Sequence, residues 1–201
     1  MTAKNLARAS AGLIALLTAG CGGKVLYPTY YALNIAPPPK PATSGPRIEG
    51  TLAVRRFETA PYLRQGRIVY RQAPQEIGFY EYRRWAEDPA TAVTAAMIDS
   101  LRSSRLFSFV KPYDGQDKPD YVMSGRIERL EEIDYGDGIR VETKLSAELV
   151  NARTGATVWS DDATNSMRVE THDVNSVVVE MSQAMEKSID RLLTSLREQV
   201  R

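Results

Sequence analysis

Six consecutive alternations of residue type constrain the fold of this chain more than any other feature. From Ile139 to Leu149 every second residue is apolar or small, with Thr143 the one hydroxyl, and charged or polar residues lie between them. A period of two predicts a strand with one face on a core and one face in water. Since a lone strand leaves its backbone groups unpaired, this segment predicts a sheet.

Turn residues flank this strand on both sides. The segment Gly136-Asp137-Gly138 precedes it, and Asn151-Ala152-Arg153-Thr154-Gly155 follows it. Glycine and asparagine at such points are typical of tight connections between antiparallel strands. Residues 121–133 and 156–167 are therefore predicted to be its neighbours in a three-strand antiparallel meander.

Helix signals occur twice. Asp88 followed by Pro89 suits the cap and the first turn of a helix that ends near Ser103-Ser104. Asp173 precedes a longer apolar stripe, from Val174 to Leu196, whose other faces carry charges of both signs. A membrane-surface helix needs a polar face rich in Lys and Arg, so this stripe is predicted to pack on the sheet.

Five further short strands are predicted upstream of the meander. Two of them form a tyrosine- and arginine-rich hairpin that turns at residues 72–75. The predicted strands are residues 30–33, 52–57, 68–71, 77–82 and 106–110.

The predicted fold class is therefore α+β: a single domain with a mixed, mostly antiparallel sheet and two helices packed on one face. We expect the domain to span residues 30–201. A tether at residues 21–29 precedes it, and a proline-rich connection at residues 36–46 lies within it.

The N-terminus resembles a bacterial lipoprotein signal peptide over residues 1–20. Lys4 and Arg8 precede a short apolar run, and Ala19-Gly20 leads directly to Cys21, the only cysteine of the chain. We expect Cys21 to carry a covalent lipid, although Thr18 occupies a position where leucine is usual. The alternative is an ordinary secretory signal followed by a free thiol, which has no cysteine to pair with.

Charge excludes nucleic acid as a generic partner, because the chain after residue 20 has 24 basic and 25 acidic side chains. The distribution is uneven: residues 21–119 carry 14 bases and 9 acids, whereas residues 120–201 carry 10 bases and 16 acids. Such a chain could dock onto a charged partner or onto a second copy of itself. Two differently solvated faces would give the same pattern.

The sequence shows none of the common motifs of catalytic or zinc sites. His172 is the only histidine, no serine lies in a nucleophile-elbow motif, and one cysteine with one histidine cannot form a zinc cluster. Glu131, Glu132 and the aspartates that follow are interpreted as a solvated acidic turn. We therefore expect no enzymatic activity and no metal or cofactor besides the lipid on Cys21.

The hairpin is the remaining candidate site. Seven arginines and three glutamates lie between residues 55 and 84, interleaved with aromatic residues. Such a segment could contact phospholipid headgroups or an acidic protein, or its arginines could pair internally. We expect Trp85 to be a packing residue and the hairpin to contribute to a protein–protein surface. The candidate partner-binding residues are Tyr70, Arg71, Tyr80, Tyr82, Arg83 and Arg84.

Motifs along the whole chain after the signal resemble the ABC-type transport auxiliary lipoprotein family. The most specific is Tyr80-x-Tyr82-x-x-Trp85-Ala86-Glu87-x-Pro89. Tyr30-Tyr31-Ala32-Leu33, Ile68-x-Tyr70-Arg71 and Thr154-Gly155-x-x-Val158-Trp159 also fit. The resemblance implies a non-catalytic lipoprotein that assists transporters built from an ATPase, a permease and a mammalian-cell-entry (MCE) protein. Such systems move lipids between the inner and outer membranes.

The expected location is the periplasmic face of the outer membrane, to which Gly22 permits sorting. The expected partners are the MCE protein with its permease and ATPase, and a ring of identical copies is a further expectation. The alternative function is a structural or assembly lipoprotein of an outer-membrane complex.

Overall fold

The computed structural model describes residues 26–36, 48–116 and 118–199. The signal peptide, Cys21 and nearly all of the proline-rich connection lie outside the described residues. The elements in chain order are β1 Thr29–Tyr31, β2 Ile48–Val54, β3 Glu58–Thr59, a 3₁₀ turn Pro61–Gln65, β4 Arg67–Ala73, β5 Glu76–Trp85, α1 Pro89–Ser104, β6 Phe107–Pro112, β7 Tyr121–Ile133, β8 Arg140–Asn151, β9 Thr157–Arg168 and α2 Val174–Gln199.

The predicted meander is confirmed. Strand β8 lies between β7 and β9, and both of its ladders are antiparallel. The inward residues of β8 are all buried, whereas its charged residues are partly exposed. The alternation in the sequence therefore predicted burial along this strand correctly. The buried residues are Val141, Thr143, Leu145, Ala147 and Leu149.

The other edge of β7 is shared by three short strands, all parallel to it. Strand β2 pairs with Tyr121–Met123, β3 with Arg126–Ile127 and β4 with Glu131–Ile133. Two arms of the sheet begin there, because β6 extends beyond β2 while β5 and β1 extend beyond β4. The sheet is mixed as predicted, and its antiparallel ladders carry most of the registered residue pairs.

Both helices pack on the same hydrophobic core. Helix α1 begins as predicted, with the Asp88 carboxylate accepting from the Ala90 amide at 2.8 Å. Helix α2 is capped by Asp173, which accepts from the Ser176 amide at 3.0 Å. The apolar stripe of α2 is buried from Val177 to Leu196, which confirms the core-packing prediction.

Trp85 ends the hairpin and is only 6% exposed. Its amide donates to the Gly66 carbonyl at 3.0 Å, which closes the base of the hairpin just before α1 begins. The expectation that Trp85 is a packing residue is therefore confirmed.

Candidate functional site

The hairpin of β4 and β5 lies between the centre of the sheet and its edge. Strand β4 bonds to β7 through Val69–Arg71, and β5 bonds to the edge strand β1 on its other side. Because β7 is buried while β1 is largely exposed, the two sides of the hairpin have different environments.

On the inner side, Arg71 pairs with a buried carboxylate. The Arg71 Nε donates to Glu131 Oε1 at 2.8 Å, and the Glu131 side chain has no exposed area. Arg71 also donates to the Pro74 carbonyl at 3.0 Å, which ties it to the hairpin turn. The hydrogen bond that Arg71 donates to Glu131 raises the pKa of Arg71, so the guanidinium group stays charged.

Tyr62 completes the surroundings of Glu131. Burial, followed by the charge of Glu131, raises the pKa of Tyr62 to about 12. Its hydroxyl donates to the Glu128 carbonyl at 2.9 Å. The second carboxylate oxygen of Glu131, Oε2, has no hydrogen-bond partner within the described part of the chain. Arg71 is therefore the residue that balances this buried charge.

A second buried carboxylate is held by Tyr80. The Tyr80 hydroxyl donates to Glu132 Oε2 at 2.8 Å, and Glu132 is 1% exposed. Burial raises the pKa of Glu132, partly offset by this hydrogen bond. The rings of Tyr70 and Tyr80 lie 5.0 Å apart at 57°. Arg71 and Tyr80 therefore direct their polar atoms to partners within the domain.

Gly78 makes room for this aromatic pair. A Cβ atom at Gly78 would lie 2.3 Å from the Tyr70 ring, which is far inside van der Waals contact. The ring of Tyr70 therefore packs directly on the backbone of β5 at Gly78, which is its registered partner across the two strands.

The prediction of a solvated acidic turn is wrong for Glu131 and Glu132. Both are buried, because the hairpin covers this end of β7 and supplies Arg71 and Tyr80 as partners. Asp137, further along the turn, is exposed as expected. The available signal was the excess of arginine over glutamate in the hairpin, which is typical of a segment that pairs with carboxylates elsewhere.

The other three candidate residues lie towards the edge. Tyr82 is 38% exposed. Arg83 donates to the Thr29 hydroxyl of β1 at 2.8 Å. Arg84 is in register with Tyr30 of β1 and with Arg67 of β4. The structure thus divides the six candidates into an inner set (Tyr70, Arg71, Tyr80) and an edge set (Tyr82, Arg83, Arg84), and partner binding stays a prediction for both.

The described ranges contain no metal site: no group of three or more His, Cys, Asp or Glu side chains there is placed to hold an ion. None of the described helices has the length and apolarity needed to cross a bilayer.

The family model for the ABC-type transport auxiliary lipoprotein component matches residues 31–192. The chain belongs to this family. The match runs from β1 to the last turns of α2, so it includes the hairpin, the meander and both helices. No match was found among proteins of curated function.

Solved structures share the fold. A DUF330 protein from Xanthomonas campestris has a TM-score of 0.71 at 22% identity, covering 82% of this chain and 92% of that chain. A hypothetical protein from Chlamydia trachomatis has a TM-score of 0.54 at 10% identity, covering 76% and 98%. PelC from Paraburkholderia phytofirmans, solved as a dodecamer, has a TM-score of 0.50 at 20% identity, covering 79% and 96%. At these identities the likeness shows the fold alone.

Proposed function

We propose that this chain is a non-catalytic lipoprotein of the outer membrane that serves an MCE-type lipid transport system. The family match over residues 31–192 carries the proposal, because that family consists of auxiliary lipoprotein components of ABC-type transport. The Arg71–Glu131 pair and the Tyr80–Glu132 hydrogen bond support a non-catalytic role, since these polar side chains satisfy one another within the domain.

The anchor is proposed to be a lipid on Cys21. Nine residues lie between Cys21 and the start of the family match at Tyr31, so the matched domain begins a short distance after the cysteine that is proposed to be acylated. Gly22 after the cysteine favours sorting to the outer membrane. The domain then faces the periplasm, where a protein that spans the envelope could reach it.

The docking site for the MCE protein is proposed at the tip of the hairpin. The tip turns at Pro74–Gln75, and Ile77 beside it is 37% exposed. The Arg71–Glu131 pair and the Tyr80–Glu132 hydrogen bond hold both strands behind the tip. A rigid tip reduces the entropy lost on binding, so the inner set would serve the partner by holding this shape.

A ring of identical copies is the second part of the proposal. PelC, which shares the fold, is a dodecamer. The excess of bases before residue 120 and of acids after it permits head-to-tail contact, which closes into a ring if the rotation allows. The same observation favours the alternative function, a structural lipoprotein that assembles an outer-membrane complex.

Partner capture tests the proposal. The full lipidated chain, tagged at its C-terminus and extracted in mild detergent, is expected to copurify with an MCE protein together with a permease and an ATPase. Ile77→Glu is expected to reduce capture about tenfold, because a charge would be desolvated at the contact. The matched control Val158→Glu, at a residue 38% exposed on β9, is expected to leave capture unchanged.

Recovery of a ring of this chain alone, with none of the three transport proteins, would favour the assembly alternative. Equal losses with Ile77→Glu and Val158→Glu would remove the tip as the docking site.

A further inference from the structure

The edge strand β1 and the base of the hairpin together carry arginines and exposed aromatic residues. We propose that this β1 edge surface, formed by Tyr27, Tyr30, Arg67 and Arg84, binds the anionic phospholipid headgroups of the membrane in which the chain is anchored. The inference deepens the proposed function and rests on its lipid-anchored part.

Three side chains form a row across neighbouring strands. Arg67 of β4 is in register with Arg84 of β5, and Arg84 is in register with Tyr30 of β1. The adjacent pair, Tyr31 and Trp85, packs on the core, so the row lies on the opposite face of the sheet. Like charges directly opposite each other on neighbouring strands destabilise a sheet unless an anion lies between them.

Within the described ranges the protein supplies no such anion. No ion pair or hydrogen bond is recorded for the guanidinium groups of Arg64, Arg67 and Arg84 within the described ranges, whereas Arg71 and Arg129 are paired. The Arg84 Nε is buried without an acceptor. A buried donor without an acceptor is rare in folded proteins and calls for an explanation.

Arg64 extends the basic surface. It is exposed at the end of the 3₁₀ turn, two residues before Gly66, whose carbonyl accepts from the Trp85 amide. The acidic residues closest to Arg84 in the chain are Glu81 and Glu87, and both are exposed. Phosphate oxygens suit the planar fork of a guanidinium group, so a phosphodiester headgroup fits this cluster chemically.

The aromatic residues point to a bilayer as the source of the phosphate. Leu26 is 55% exposed, Tyr27 81% and Tyr30 61%, and they follow one another in the first described residues. Tyrosine has an apolar ring and a polar tip, and it is enriched where a membrane meets water. A soluble phosphate would leave these side chains without a role.

The position of the anchor favours the membrane over a protein partner. Only four residues lie between Cys21 and Leu26, and the five peptide units that join them span at most about 18 Å. A lipid on Cys21 therefore keeps the β1 edge surface beside the headgroups. Attraction between basic side chains and anionic lipids acts over about one Debye length, roughly 8 Å at physiological salt.

Membrane contact at this edge would also orient the domain. The base of the hairpin holds Arg67 and Arg84, and its turn at Pro74–Gln75 lies at the other end of both strands. Seven residues of β4 extend about 23 Å. With its base on the membrane, the hairpin would direct its tip away from the bilayer and towards the periplasm.

Vesicle binding by the unlipidated chain tests the inference. The chain from residue 21 to 201 with Cys21→Ser is mixed with vesicles of phosphatidylethanolamine and phosphatidylglycerol, at about three to one, and with vesicles of phosphatidylcholine alone. We expect sedimentation with the anionic vesicles, suppressed by salt, and little with phosphatidylcholine. Arg67→Gln with Arg84→Gln is expected to lower the partition coefficient about twenty-five-fold, at about fivefold for each arginine near an anionic surface.

Two further double variants serve as a charge-matched control and as a test of the aromatic residues. Arg153→Gln with Arg191→Gln removes the same charge from the exposed β8–β9 turn and from α2, and it should change binding less than about twofold. Tyr27→Ser with Tyr30→Ser, at two exposed positions, should lower binding several-fold with no change in the melting temperature.

Absence of binding to anionic vesicles would overturn the inference, as would equal losses in the two arginine double variants. Loss of MCE-protein capture with unchanged vesicle binding in Arg67→Gln/Arg84→Gln would identify the surface as a protein site instead. Because the assay contains neither the lipid anchor nor any transport protein, a failure of the transport proposal leaves its result unaffected.

Discussion

Replacement of Arg71 by methionine should lower the free energy of unfolding by about 3–5 kcal/mol. The substitution leaves the Glu131 carboxylate buried without the guanidinium group that pairs with it. The second carboxylate oxygen, Oε2, already has no hydrogen-bond donor in the described chain. Chemical denaturation monitored by tryptophan fluorescence measures the effect. Trp85 and Trp159 are both buried and would report unfolding.

Two controls separate the buried charge from a general effect of losing an arginine. Arg126→Met breaks the exposed pair with Glu58, at 3.5 Å, and should cost no more than about 1 kcal/mol. Arg71→Met combined with Glu131→Leu should recover most of the lost stability, because no charge is then buried. A loss of less than about 1 kcal/mol for Arg71→Met alone would show that Glu131 is not held by this pair.

Replacement of Trp85 by alanine should cost about 3–5 kcal/mol, since it empties a large volume at the junction of the hairpin and α1. Phe109→Ala is the matched control, because Phe109 is 70% exposed on the edge strand β6 and contributes little buried area. Thermal unfolding of both variants measures the difference. A Trp85→Ala protein with an unchanged melting temperature and lost partner capture would make Trp85 a contact residue instead.

Local patterns in the sequence predicted the elements that depend on neighbouring residues. The alternation along β8 reports the burial of every second side chain, and the caps at Asp88 and Asp173 lie within three residues of the amides they accept from. Turn residues at both ends of β8 fixed the meander for the same reason. These features involve short separations along the chain, so a single sequence shows them.

Pairings over long separations could not be predicted in this way. Strands β2, β3 and β4 share one edge of β7, although their residues lie between 62 and 69 positions from their partners in β7. No local period records which part of a long strand a distant short strand will meet. Which short strand pairs with which part of this edge of β7 is therefore seen only in the folded chain.

The candidate site shows the same limit. Composition identified Arg71 and Tyr80 as unusual, and internal pairing was one of the interpretations left open. Their partners, Glu131 and Glu132, resembled a solvated turn because adjacent acids near glycines are usually exposed. Their burial depends on the hairpin lying against the end of β7, where it supplies Arg71 and Tyr80 as partners.

The most direct test of the account is the movement of phospholipid between the two membranes of cells that make this chain. Pulse-labelled phospholipid is followed in separated inner and outer membranes of cells with the unsubstituted chain, with Cys21→Ser or with no chain. The account predicts an altered distribution without the chain, and the same alteration with Cys21→Ser, whose protein should be released from the membrane fraction by a high-salt wash. Identical distributions in all three strains would contradict it.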